Sequence, residues 1–348
     1  MNINVVIPHV KIRYNKYNQV FSSCKKCSFD VVATNFTKYY NKYVAGDRDD
    51  YKLQVTYKPS PDIVMVVADM WLTLEVYTSW FLSPYAIYWL DTAWITSDRK
   101  PQGITRSLTI VTTSKWNSQI LTSLGIKNYI VPRAVDDDLA DTVFEKVRQS
   151  PTQYKYDFFF LATSAKDNHK NEQLVYQVLR DLNELSKTYK VCDYEWCDAK
   201  PFSLSDAQKY EIMSQSRIII WLSESEGFGL PPTEAMSVGV PVIHFDSQYV
   251  NAPFDGVGSN SITHFKIPVY GYKLRRSPTV PEKYFASPMY DYNDVIRVFK
   301  EALSYTKENE KDAVFEYRYR LHEYVKYNFY HRVIIDKLLK LDIAKVVM

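Results

Sequence analysis

Glycine is scarce in this chain, with nine residues in 348. When so few positions are free to take left-handed backbone, a cluster of glycines marks a turn that needs them. Cysteine is scarcer still, as Cys24-x-x-Cys27 and Cys192-x4-Cys197. Four cysteines exclude a disulfide-dense scaffold, and a four-thiolate zinc site would need pairs from two distant parts of the chain to meet. Incidental thiols are the expectation, with local disulfides the alternative. Charge of one sign is lacking too: a net charge of +3 argues against wholesale nucleic-acid binding. No long apolar run survives. The most membrane-like segment, Val76 to Ile95, is interrupted by Pro84 and Asp91, so an uninterrupted span of about 20 apolar residues is missing. Met1-Asn2-Ile3 leads directly into a strand-like Val5-Val6-Ile7 without a charged n-region. The expectation is therefore a cytoplasmic enzyme without a secretory signal.

The length suits two domains of ordinary size. Tyrosine is abundant, at 29 residues, and the charge is uneven: residues 11–58 hold ten Lys or Arg against four Asp, interleaved with aromatics. A solvated helix face accounts for such a run, and peripheral contact with an anionic membrane or acidic acceptor is the functional alternative.

The most informative stretch is Arg217 to Asp246, RIIIWLSESEGFGLPPTEAMSVGVPVIHFD. Ile218 to Leu222 form the short apolar run of a buried parallel strand. Gly227 and Gly229 break it, Pro231 and Pro232 fit the first turn of a helix, and Gly239 with Pro241 stops that helix. Val240 to Phe245 reads as the next strand. Three of the nine glycines therefore fall between 227 and 239. A turn that brings bare backbone N–H groups to an anion at a helix N-terminus explains them; so does a tight connection with helix caps. The connection alone leaves Glu226 and Glu234 unexplained. They stand eight apart and can face the strand-end crevice where open α/β sheets bind ligands.

Ser223, Glu226-Gly227-Phe228-Gly229-Leu230, Glu234-Ala235-Met236 and Gly239-x-Pro241-Val242-Ile243 together resemble the signature of retaining glycosyltransferases of family 4. That family has the GT-B fold, so the resemblance implies an α/β chain of two Rossmann-like, doubly wound lobes facing a central cleft, with a C-terminal helix crossing back to the first lobe. The lobes are expected at 1–150 and 151–312, with the returning helical segment at 313–348. Residues 104–136 fit the pattern of strand, serine, helix and second strand, through Leu108 to Ser114 and Tyr129 to Asp136. Asp136, Asp137 and Asp138 suit the cap and first turn of a helix over Leu139 to Val147. The family's histidine on a central strand of the first lobe is missing; Tyr88-Trp89-Leu90-Asp91 occupies the place. Asp91 is thus a candidate proton acceptor, with a helix cap as its structural alternative. Phe158 to Leu161 reads as the first strand of the second lobe, where Ala162-Thr163 replaces the family's Gly-Arg and Asn168-His169-Lys170-Asn171 resembles its Arg-Lys-Asn. After Asp246, a polar loop over 251–261 and a basic segment with Lys266, Lys273, Arg275, Arg276 and Lys283 read as acceptor contact or mobile surface.

The resemblance implies transfer of a sugar from a nucleotide-diphosphate donor with retention and without a metal or other cofactor. Lys170, the turn Gly227-Phe228-Gly229-Leu230, Thr163 and the helix N-terminus near Pro232 would hold the donor diphosphate. Glu226 would hold the donor sugar and Glu234 the ribose. The acceptor, whether glycan, lipid or protein, is left open. Asp47-Arg48-Asp49 could point to a metal-dependent transferase of another fold, but it lies in a charge-rich loop without strand patterning. Two further readings compete: a noncatalytic nucleotide-sugar-binding protein, and a transferase that modifies nucleic acid.

Overall fold

The computed structural model describes residues 18–22, 27–58, 63–75, 86–98, 108–151, 153–162, 169–193, 196–200, 202–255, 264–308 and 311–341. The expected strand at Val5 to Ile7, Thr163, Asn168, Cys24 and most of the apolar segment before Ala86 lie outside the described residues. The chain divides into two compact units. The first comprises the chain up to Thr92, Ser97–Ala134 and the end from Phe329; the second comprises Ala93–Thr96 and Val135–Asn328.

In the first unit, β1 (Asn18–Ser22), α1 (Ser28–Tyr40), β2 (Leu53–Thr56), β3 (Ile63–Asp69), α2 (Met70–Glu75) and β4 (Ile87–Asp91) follow in chain order. β5 (Thr96–Ser97), which straddles the unit boundary, comes next, then β6 (Thr109–Thr112), α3 (Lys115–Ser123) and β7 (Asn128–Ile130). The sheet order is β2-β1-β3-β4-β6-β7, and all its pairings are parallel. β3 reads Ile-Val-Met-Val-Val-Ala-Asp with hardly a polar break, as a strand covered on both faces requires. Ser114 caps α3 by accepting from the Asn117 N–H.

The second unit opens with α4 (Asp137–Gln149), followed by β8 (Tyr156–Leu161), α5 (Glu172–Asp181), β9 (Thr188–Val191), α6 (Asp206–Ser214) and β10 (Ser216–Trp221). Then come α7 (Leu230–Ser237), β11 (Val242–Phe245), β12 (His264–Ile267), β13 (Gly271–Arg276), β14 (Lys283–Met289), α8 (Tyr292–Glu308) and α9 (Lys311–Phe329). Its parallel sheet has the order β12-β11-β10-β8-β9, with β10 central. Phe158, Phe160, Ile218 and Ile220 alternate along β8 and β10 toward Val175, Leu179, Val298 and Phe299 of α5 and α8. The segment 217–246 therefore folds as strand, turn, helix and strand, as its pattern predicts.

The first boundary falls before α4, sixteen residues earlier than the expected 150/151 break. The cause is packing. Phe144 of α4 stacks on His322 of α9 at 4.0 Å between centroids, and Lys146 pairs with Glu211 of α6 at 2.8 Å. α9 likewise belongs to the second unit, because the buried Arg318 donates to the carbonyls of Pro151, Ser214 and Val238. Only α10 (His331–Leu339) joins the first unit, where His331 stacks on Tyr39 of α1 at 4.4 Å. The expected helical segment starts at 313, whereas the first unit takes up the chain from Phe329.

Two further expectations are corrected. The cysteines are not incidental thiols: Cys192 is bonded to Cys197, and Cys27 is disulfide-bonded as well. The basic segment after residue 266 is built structure. β13 and β14 form an antiparallel hairpin with β5 on its other side, and the pairing register Arg275↔Phe285 sets which cations lie beside which aromatics.

Candidate functional site

In the second unit the chain leaves central strand β10 at Trp221 and turns through Leu222–Phe228 into α7. Gly229 makes this turn, with a φ of +99° at the N-cap of α7. A Cβ there would sit 3.2 Å from Pro253 and 3.3 Å from Pro232, so the backbone favours glycine and the space beside it is tight. Pro231 and Pro232 need no intrahelical N–H partner at the helix start. Phe228 is buried and anchors the loop.

The site's central contact is between Lys170 and Glu226, which form an ion pair with side chains only 6 % and 14 % exposed. Asn171, beside Lys170, adopts left-handed backbone at the N-cap of α5 and donates from its side chain to the Leu222 carbonyl at 2.8 Å. The Glu224 N–H donates to the His169 carbonyl at 2.8 Å. These two bonds tie the segment before α5 to the loop after β10. The Lys170 ammonium lies 3.9 Å from the centre of the Trp221 ring, an attraction that is stronger away from water. Burial lowers the Lys170 pKa, and Glu226 opposes the shift. Ser223 donates to the same Glu226 oxygen, and the Glu226 N–H donates to the Tyr249 carbonyl at 2.8 Å.

Glu234 projects from α7 into a second charged group. Its Oε1 accepts from Lys209 of α6 at 2.8 Å, and Lys209 also meets Asp206 at 3.2 Å. Burial raises the Glu234 pKa, while Lys209 opposes it. The Oε2 atom of Glu234 is buried and has no partner among the described residues. His169 Nδ1 and Trp221 Nε1 share that condition. Such atoms call for water or a ligand.

The structure thus joins Lys170 to Glu226 and sets Gly229, Leu230 and Glu234 in the turn and helix that follow. Thr163 lies outside the described residues. Asp91 is in the first unit at the end of β4, where it does not cap a helix. It pairs with buried Arg133 at 3.0 Å, and Arg133 also donates to the Trp89 carbonyl. Asp136 caps α4 by accepting from Leu139 N–H at 3.0 Å, and its own N–H donates to Tyr210. Of the Asp47-Arg48-Asp49 triplet, Asp49 is bound to Lys52 at 2.5 Å and Arg48 donates to the Val44 carbonyl.

Sequence reasoning missed several residues around the site. Arg275 of β13 grips the buried Glu224 with two nitrogens at 2.6–3.0 Å and lies over Phe285, which stacks on His169. Ser225 donates to the Ala93 carbonyl, and Ile95 N–H donates to the Tyr284 carbonyl at 2.8 Å, so residues 93–96 form part of this unit. Lys209 lies 25 positions before Glu234, and no local spacing joins them. Trp221 alone carried a visible signal, as a polar-tipped aromatic ending an aliphatic strand run.

The family pattern of glycosyl transferases group 1 matches residues 201–252, the segment containing α6, the glycine turn and α7. Over 98 % of its length, and 98 % of the relative's, the chain is 40 % identical to "Putative glycosyltransferase ORF378" of Acidianus filamentous virus 2. The chain belongs to the glycosyltransferases. Similar solved structures include Anabaena Alr3699/HepE in complex with UDP-glucose, with a TM-score of 0.57, 11 % identity and coverage of 94 % of this chain and 98 % of that one. A glycosyltransferase from Rickettsia africae ESF-5 has a TM-score of 0.56 at 13 % identity, covering 96 % of this chain and 99 % of that one. At these identities the likeness concerns the fold: this glycosyltransferase has the GT-B architecture of two Rossmann-like units. None of its described helices is long and apolar enough to cross a membrane.

Proposed function

We propose that this glycosyltransferase transfers a sugar from a nucleotide-diphosphate donor with retention of configuration and without a metal ion. The observation that carries the reading is the buried Lys170–Glu226 pair beside the Gly229 turn into α7. The UDP-glucose held by one structural neighbour agrees with it. As the sugar leaves, negative charge grows on the diphosphate, and catalysis needs a fixed positive potential there. Lys170 supplies a compact cation, and the Gly227–Leu230 backbone with the α7 N-terminus supplies oriented dipoles. The incoming diphosphate takes Lys170, and Glu226, released from the ammonium and steadied by Ser223, accepts hydrogen bonds from the donor-sugar hydroxyls. Glu234 uses Oε2 for the ribose hydroxyls. On the first unit, Asp91, oriented by Arg133, is the proposed proton acceptor for the acceptor hydroxyl.

Calorimetric titration with UDP-glucose and other sugar nucleotides, in the presence of a chelator, tests the donor reading. Binding that weakens at least tenfold in both Lys170→Ala and Glu226→Ala is expected. A wild-type protein that binds no nucleotide or sugar nucleotide removes the reading. Product stereochemistry, read by the anomeric proton coupling once an acceptor is found, tests retention separately.

A further inference from the structure

We propose that Lys209 is a positioning residue of the donor site, fixing one oxygen of an ionised Glu234 so that the other stays open to a pair of ligand hydroxyls. The inference rests on the donor reading above and adds to it a residue from another helix. Glu234 is 4 % exposed and Lys209's side chain 17 %. A carboxylate with so little water around it takes up a proton unless a cation stands beside it. The charged and titratable groups of α6 facing Glu234 are Lys209, Asp206 and Tyr210, and Asp136 faces it from the cap of α4. Lys209 is therefore the cation set among three carboxylates. Burial would lower the Lys209 pKa, but Glu234 and Asp206 outweigh it and raise the pKa above its usual value, so Lys209 remains charged.

The geometry divides the work between the two carboxylate oxygens. Oε1 receives Lys209 at 2.8 Å, while Oε2 is buried and has no partner among the described residues. An ionised Oε2 has two lone pairs and can accept from both hydroxyls of a vicinal diol; a protonated carboxyl must spend one position as a donor. Removing the ammonium leaves Glu234, Asp206 and Asp136 mutually repelling, and Glu234, the most deeply buried of the three, takes the proton first. The expected defect is loss of diol recognition that depends on pH.

The test is calorimetric titration of the full-length protein with UDP and with 2′-deoxy-UDP, from mildly acid to mildly alkaline pH. Wild type, Lys209→Met and Lys209→Arg are compared. In wild type, UDP binds more tightly than its 2′-deoxy counterpart through neutral pH. In Lys209→Met, UDP affinity approaches wild type only at the alkaline end and drops about tenfold per pH unit below the Glu234 pKa. The preference over 2′-deoxy-UDP disappears along that limb, and Lys209→Arg restores it. If Lys209→Met weakens both nucleotides equally at every pH, or changes neither, the positioning role is overturned while the donor reading stands. If wild type binds neither, the same comparison is run with ADP and GDP and their 2′-deoxy counterparts, and a wild type that binds none of them removes both the inference and the donor reading. Should Lys209→Met fail to fold, the carbon-13 titration of the Glu234 carboxyl in wild type decides. The proposal requires an ionised carboxylate at neutral pH, and a protonated one overturns it.

Discussion

Replacing Lys170 by methionine keeps much of the side-chain volume and removes the charge from a pair whose members are 6 % and 14 % exposed. Removing one partner of a buried ion pair costs about 3–5 kcal/mol, because the other charge stays behind in a poor solvent for it. Two features place this case near 3 kcal/mol. Ser223 still donates to Glu226, which softens the loss; against that, the attraction between Lys170 and the Trp221 ring, about 1–2 kcal/mol when desolvated, disappears. Glu226→Gln leaves the ammonium over Trp221 and is expected to cost about 2–3 kcal/mol by the same argument. The double variant buries no charge. It should lose only about 2 kcal/mol, giving a coupling of about 3–4 kcal/mol between the two positions. Urea unfolding of the four proteins, fitted with one m-value, measures this cycle. Losses that add to within about 0.5 kcal/mol would show that the two side chains do not interact, and the pair could then no longer carry the functional reading.

Gly239 and Gly125 have similar left-handed backbones, with φ of +78° and +74°. A Cβ at 239 would lie 2.9 Å from Arg318, whereas one at 125 meets nothing within 4 Å. Gly239→Ala should therefore cost about 3 kcal/mol and Gly125→Ala about 1 kcal/mol in unfolding free energy; equal costs would refute the steric argument. Burial, with Lys266 nearby, lowers the His264 pKa from 6.5 to about 4. The unfolded chain then takes the proton first. Its contribution is complete above pH 6.5 and is lost as pH falls from 6.5 toward 4, by about 1.4 kcal/mol per unit. His264→Asn should flatten urea midpoints across that window, and an unchanged slope would count against the shift. The Cys192–Cys197 bond closes a short loop, so replacing both cysteines by alanine should cost about 2 kcal/mol, measured as a lower urea midpoint. No change in the midpoint would contradict the estimate.

How much could be read in advance depended on how locally each feature was specified. The run from β10 to β11 was legible because the aliphatic strand, glycine turn, paired prolines and helix-stopping Gly239 are consecutive in the chain. Their meaning follows from backbone geometry alone. Asp136 was equally legible as a cap, since the N–H it binds is three residues away. The unit boundary was not, because a linker-like Ser150-Pro151 says nothing about the partners of the preceding helix. α4 is assigned by Phe144 meeting His322, nearly 180 residues later. The charged partners follow the same rule. Lys170 was identifiable from its place before α5, but its ion pair with Glu226 spans 56 residues, Lys209 to Glu234 spans 25, and Arg275 to Glu224 spans 51. Asp91 shows the cost of reading a carboxylate without its long-range neighbour, for the sequence offers a helix cap first and a base second until Arg133 is placed beside it. A motif therefore identifies which groups are brought to the end of a strand; the cations that pair with those carboxylates come from elements far away in the chain. For this glycosyltransferase, Lys209 and Arg275 lie outside the motif and pair with two of its carboxylates, Glu234 and Glu224.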